Sequence, residues 1–306
     1  MKYTIIILTL SFTLSATTAF AQDAEPLPSW EFGDTSVTRI EDKAPGFTPD
    51  IFPTVDKATF DKYAVDGKMP SSVSAFCSPD LKGGYVLFDA ALGAPDGKLV
   101  ENLEKAMGGK YEPEKVRHVF LTHMHGDHIG GLMDGDARRF PNAKVYCSEP
   151  EAEYWSTQNN AMVEKVKKAY GKDFRTFPFR ESFYFIDKTK TKTPGKQPPV
   201  VEVIGLDAAG HTPGHTVYYI GAGNGVFIIL GDLLHAAALQ FPHPEICAKY
   251  DMDPEEAVKS RRRILDMAAK HNIPVAGAHI PAPGMGFVKK NADGGYEFTP
   301  INAVAK

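Results

Sequence analysis

Cysteine is scarce in this chain. Only Cys77, Cys147 and Cys247 occur among 306 residues, an odd number with no Cys-x-x-Cys pair. They cannot all pair internally, at most one disulfide is available, and a cysteine-based zinc site has no support. A Gly-x-Ser-x-Gly elbow is also missing, which leaves a serine nucleophile without its turn. There is no excess of positive charge: 34 Lys and Arg stand against 38 Asp and Glu, for a net charge of −4. Neither nucleic acid nor an anionic membrane surface is indicated as a partner. No apolar run reaches the roughly 20 residues of a membrane span, and stable membrane insertion is not expected. What is present is an ordinary globular composition, 43% hydrophobic and 24% charged, with enough apolar residues for a large core.

The N-terminus has the layout of a secretory signal. Lys2 gives a positive start, residues 5–14 are mostly apolar, and Ala19-Phe20-Ala21 fits a small-x-small cleavage site. Residues 1–21 are therefore expected to be a signal peptide and the protein to be exported, periplasmic or secreted. Residues 22–50 are Pro-rich and acidic without a clear period, and are expected to form an arm against the body or a second subunit. Residues 51–306 are the body. There strands and helices alternate, with strands expected at 85–88, 116–121, 144–147, 200–204, 217–220, 226–230 and 273–276. Helices are expected at 99–107, at 151–170, and from Pro254, behind Asp253, to about Lys270. The polar, basic stretch 187–199 is expected to be a solvated loop.

Strand after strand ends by releasing a histidine or an aspartate into a loop, and in α/β sheets ligands gather at strand ends. Past the 116–121 strand comes His123-Met124-His125-Gly126-Asp127-His128, four ligand-type side chains within six residues. Neutral imidazole is the commonest side-chain metal ligand. Downstream, Gly210-His211-Thr212-Pro213-Gly214-His215-Thr216 sets two histidines in a Gly/Pro turn. Asp232 closes a hydrophobic strand, where an unpaired carboxylate is costly to bury. His279 follows another such strand.

This pattern resembles the metallo-β-lactamase superfamily from about Ser71 to the C-terminus. The resemblance implies a four-layer αββα sandwich of the α/β class with a dinuclear metal site at the rim of its sheets. It implies a first metal on His123, His125 and His215, and a second on Asp127, His128 and His279, with Asp232 as the bridge. His211 is then a turn residue. Three segments, Gly231–Phe241, Gly277–Gly284 and Gly294–Pro300, are similar to the methyl parathion hydrolase branch, which is exported and related to lactonases. The implied activity is cleavage of small aryl phosphotriesters, aryl esters or lactones by two divalent ions. Zinc is the first expectation, and manganese, cobalt and iron suit the same donors. Asp127 and Asp232 would orient the attacking water. Trp155 falls where that branch has a pocket aromatic. Phe177 and Phe179, with Phe174, Phe183 and Phe185, are weaker pocket candidates against core packing, and His235 is open between pocket lining and packing. A homodimer is implied.

Departures from the family pattern bear on the substrate. Asp89-Ala90-Ala91-Leu92-Gly93 replaces the usual Asp-Thr-Gly. His235 stands where the acyl-homoserine lactonases commonly have tyrosine, which argues against a dedicated quorum-signal lactonase, the alternative within this mechanism. Asp232 argues against β-lactamase activity. His125 in place of glutamate favours hydrolysis over the iron-dependent oxygen chemistry of the diiron branch, the alternative of another class.

Overall fold

The computed structural model of the chain describes residues 26–33, 35–80, 82–186 and 200–301. The expected signal peptide and the loop at 187–199 lie outside the described residues. None of the described helices is long and apolar enough to cross a membrane.

Two seven-stranded sheets face each other. The first is built from β1 (Ser29–Phe32), β2 (Thr35–Lys43), β3 (Val73–Pro79), β4 (Tyr85–Phe88), β5 (Val116–Phe120), β8 (Lys144–Ser148) and β9 (Phe174–Phe177), adjacent in that order. A small separate hairpin, β6 (Met133–Asp134) with β7 (Ala137–Arg138), interrupts the chain between β5 and β8. The second sheet follows chain order: β10 (Ser182–Ile186), β11 (Val200–Asp207), β12 (Thr216–Ala222), β13 (Gly225–Ile229), β14 (Val275–Ala276), β15 (Met285–Lys290) and β16 (Tyr296–Pro300). The helices are α1 (Lys57–Tyr63), α2 (Leu99–Ala106), α3 (Gly126–Ile129), α4 (Glu149–Trp155), α5 (Ala161–Tyr170), α6 (Ala237–Gln240) and α7 (Pro254–His271). β4, β5, β8 and β9 run parallel, as do β13 and β14. Parallel neighbours need long crossovers, and α2, α5 and α7 lie within them.

Side-chain parity sorts the layers. Leu87, Val119, Leu121, Val145 and Cys147 pack with Leu99 and Leu103 of α2 and Val163 and Val166 of α5. Their neighbours Phe88, Phe120 and Tyr146 point the other way, into the space between the sheets, and meet Val203, Tyr218, Ile220 and Phe227. On the far side, Val217 and Ile228 turn outward to Ile264, Leu265 and Ala268 of α7. Strands buried on both faces carry apolar residues at successive positions for this reason. The result is the expected αββα sandwich.

Two expectations change. Residues 29–43, within the stretch expected to be an arm against the body or a second subunit, form β1 and β2 at one edge of the first sheet, where β2 pairs with β3. The helix expected over 151–170 is two helices. α4 ends at Trp155, Asn159 takes a positive φ of 47°, and Asn160 restarts the chain by accepting from the amides of Met162 and Val163. All three cysteines are free, and burial pushes the Cys77 thiol up to about 12.

Candidate metal centre

The strand ends converge at one edge of the sandwich. After β5, residues 122–125 form a short extended link, and the single turn of α3 then presents Asp127 and His128. Gly231 leaves β13 with a φ of 56°, and a Cβ there would lie 2.8 Å from His215 Nε2. That backbone places Asp232 in the middle of the site, 3% exposed.

Each histidine's outward nitrogen fixes which nitrogen faces inward. Thr122 Oγ1 donates to Asp89 Oδ2 at 2.8 Å, so it is left to accept from His123 Nδ1 at 3.1 Å. His128 Nδ1 donates to Asp89 Oδ2 at 2.8 Å, His211 Nδ1 to Asp251 Oδ1 at 3.0 Å, and His279 Nδ1 to the Ser72 carbonyl at 2.6 Å. In all four residues Nδ1 is thereby engaged, and Nε2 is the nitrogen turned into the site. Carboxylate and carbonyl partners of this kind orient metal-binding imidazoles.

Three ring nitrogens meet on one side. His125 Nδ1 lies 2.9 Å from His123 Nε2 and 2.9 Å from His211 Nε2, and the last two are 3.2 Å apart. Nitrogens around a tetrahedral ion with bonds of about 2.0–2.1 Å stand about 3.3 Å apart. Inward lone pairs this close repel unless a cation or proton lies between them. On the other side His279 Nε2 is 3.4 Å and His128 Nε2 3.8 Å from Asp127 Oδ2. Asp232 joins the two groups: Oδ1 is 3.0 Å from His128 Nε2, and Oδ2 is 3.1 Å from His279 Nε2 and 3.4 Å from His211 Nε2. His128 Nε2 and Asp232 Oδ1 are buried and face each other at an angle that makes no hydrogen bond. The donor types, spacing and orphaned atoms fit a pair of divalent cations.

The electrostatics agree. Burial holds the His125 imidazole down at about 4 and that of His123 well below the ordinary histidine range, so both are neutral, as ligation requires. Burial also opposes protonation of His128, but Asp232, Asp89 and Asp127 outweigh it and raise its pKa well above the ordinary value. His279 is raised in the same way, against burial, chiefly by Asp232. Burial would raise Asp232, yet His128, His279 and His123 together hold it well below the carboxylate range.

His123, His125, Asp127, His128, Asp232 and His279 come together as the sequence suggested. His215 does not. Its Nδ1 donates to the Ala208 carbonyl at 3.2 Å and its Nε2 accepts from the Asp232 amide at 3.0 Å, so both nitrogens are consumed behind the site. His211, expected to be a turn residue, takes its place. The signal that would have found it is Asp251, which receives its outward nitrogen from forty residues downstream.

A cavity of about 360 Å³ opens over Asp127, Asp232 and His279. His235 lines it, 1% exposed, with both ring nitrogens lacking hydrogen bonds and Nε2 3.4 Å from Asp232 Oδ2. Pro45, Phe47, Val73 and Tyr250 complete the wall. Sequence reasoning missed all four. Phe47 is held by a backbone pair with Met69, its ring 5.5 Å from His279 and 6.0 Å from His235. The aromatics expected there lie elsewhere. Phe177 is fully buried between the sheets against Phe183 and Tyr218, because the last residue of β9 faces inward. Phe179 is half-buried in the following turn and does not line the cavity. Trp155 sits behind His125, with ring centroids 5.6 Å apart and Nε1 bonded to Glu151.

Fold and site together define a metal-dependent hydrolase of the αββα class. The family model described as the metallo-beta-lactamase superfamily matches residues 70–279, and the chain belongs to that superfamily. Among solved structures it is similar to the hydrolase AbOPH, described as belonging to the beta lactamase superfamily. That match has 26% identity and a TM-score of 0.76, and covers 92% of this chain and 99% of the other. The dizinc quorum-quenching lactonase AidC, solved with a product, shares the fold at 24% identity and a TM-score of 0.78, over 92% of this chain and 99% of that one. A curated relative, the uncharacterized protein YobT of Bacillus subtilis (strain 168), is 27% identical over 165 residues. Those residues are 50% of this chain and 64% of the relative's length.

Proposed function

We propose that the protein is an exported, homodimeric hydrolase of small neutral esters: aryl phosphotriesters, aryl esters and lactones. The observation that carries this is the cavity wall. Imidazoles, two carboxylates and apolar or aromatic side chains line it, and no lysine or arginine does so among the described residues. An anionic phosphomonoester or carboxylate substrate would find no lysine or arginine among the described lining residues to pair with, whereas a neutral ester sits against Phe47, Val73 and Pro45 at little desolvation cost. Export rests on residues 1–21 and dimerisation on the sequence resemblance.

His123, His125 and His211 would hold one divalent ion, Asp127, His128 and His279 the other, and Asp232 both, with zinc the first expectation. Bound there, the ions supply Lewis acidity and lower the pKa of water to about 7. The chain does the rest. Asp127 and Asp232 accept hydrogen bonds from the attacking water and fix its direction. His235, with no partner of its own, donates an N–H to an oxygen of the bound ester. Phe47 and Tyr250 hold the ring or acyl group and exclude solvent.

The test is kcat/KM for methyl parathion, an aryl lactone and an N-acyl-homoserine lactone, side by side on zinc-loaded protein, with phenyl phosphate as an anionic counterpart and a chelated control. The neutral substrates should be turned over and phenyl phosphate should not. A lactone lead of a hundredfold, about 2.7 kcal/mol of transition-state preference, makes phosphotriester cleavage a side activity. Turnover of phenyl phosphate above that of every neutral ester would sink the reading.

A further inference from the structure

Glu151 is a fully buried carboxylate that no step of the proposed chemistry uses. It accepts four hydrogen bonds. Oε1 takes them from the Met124 amide at 2.8 Å and Trp155 Nε1 at 2.7 Å, and Oε2 from Thr212 Oγ1 at 2.6 Å and the Gly214 amide at 3.1 Å. Met124 is the residue between His123 and His125. Thr212 directly follows His211. Trp155 backs the His125 ring. One side chain thus reaches the carriers of all three histidines that converge on a single point.

We propose that Glu151 is the positioning residue of the three-histidine group, locking the turn that carries His211 onto the loop that carries His123 and His125. The proposal rests on the metal-site reading above.

The local structure is built for this contact. Ser148 caps α4 by accepting from the Glu151 amide, and its hydroxyl donates to the Gly214 carbonyl at 2.6 Å. The 210–215 turn therefore sits on the first turn of α4. It sits so closely that a Cβ at position 214 would lie 2.0 Å from the Glu151 nitrogen. A backbone tie between these segments, Thr216 N to the Thr122 carbonyl at 2.8 Å, joins their strand ends, and Glu151 spans the histidine-bearing tips. All four partners are donors, and only a carboxylate accepts on both oxygens. An amide of the same shape would turn an NH₂ toward N–H or O–H groups. His128 and His279 hang instead on Asp89 and the Ser72 carbonyl, so the effect of Glu151 is confined to one group.

The experiment is Co²⁺ uptake by the metal-free full chain, with affinities from chelator competition. Hyperfine-shifted imidazole N–H protons report which group fills. Glu151→Gln and Thr212→Val should lose roughly 10–100-fold in affinity at the three-histidine group, as is typical when a partner of a metal-binding side chain is removed. The second group should hold within about twofold. If Glu151→Gln does not fold, Thr212→Val carries the test, since it removes one of the four ties at constant shape. Equal losses at both groups in step with a lower Tm would mean Glu151 only holds the fold together, and undiminished affinity in folded variants would mean it positions nothing. Uptake of fewer than two ions by the unaltered chain would fail the metal-site reading first and this proposal with it.

Discussion

At the scale of single residues, the instructive pair is His211 and His215. Both stand in one Gly/Pro turn, and the family resemblance gives the metal to His215 and leaves His211 as a turn residue. What separates them is which way each imidazole faces, set by partners remote in sequence: Asp251 for His211, and the Asp232 amide for His215. His211→Ala should therefore lose the metal of the three-histidine group while folding normally. His215→Ala should keep its ligands and lose stability by about 1–3 kcal/mol, the cost of leaving buried polar groups unpaired. Metal analysis together with denaturant unfolding of the two variants checks this. A second prediction follows from His128 and His279, whose pKa values in the metal-free chain are raised by Asp232 and its neighbours. Each must be neutral to accept a cation, so zinc uptake should release protons at a pH below the two raised values. The release should shrink as pH rises above the two raised pKa values. Calorimetry in buffers of different ionisation enthalpy reads the number directly. The cavity aromatics were the least legible residues. Phe47 sits in a Pro-rich stretch with no period, and only its pairing with Met69 carries it over the site.

At the scale of elements, β4, β5, β8, β11, β12, β13, β14 and α7 were legible because their signals are local. Alternating parity, and an Asp253-Pro254 start with the Asp253 side chain accepting from the Glu256 amide, need no distant partner. The break between α4 and α5 was not, since residues 151–170 contain no proline to mark it. Asn160 makes the break by capping α5 with one side-chain oxygen that serves two amides. Asn160→Ala should cost about 1 kcal/mol, read as a shift in urea midpoint at constant m-value. β9 was not among the expected strands, and Phe177, a weaker pocket candidate set against core packing, packs on its inward face.

For the whole molecule, the cluster predicts how strongly folding and metal are linked. A ligand held only by the folded state at a thousand times its Kd contributes about 4 kcal/mol. At roughly 2–4 °C per kcal/mol for a domain of this order, chelation should lower Tm by roughly 8–16 °C for each ion removed, seen by calorimetry with and without chelator. A Tm indifferent to chelation would mean that the clustered histidines hold no ion tightly. The two groups also share a feature of layout. His123, His125, Asp127 and His128 belong to the half of the chain that forms the first sheet, while His211, Asp232 and His279 belong to the half that forms the second. Each group takes two members from the first half and one from the second, with Asp232 supplied by the second to both. Neither half by itself owns a complete nest, so a full set of donors exists only once the two sheets have docked, and an ion that needs the full set is a ligand of the folded chain alone.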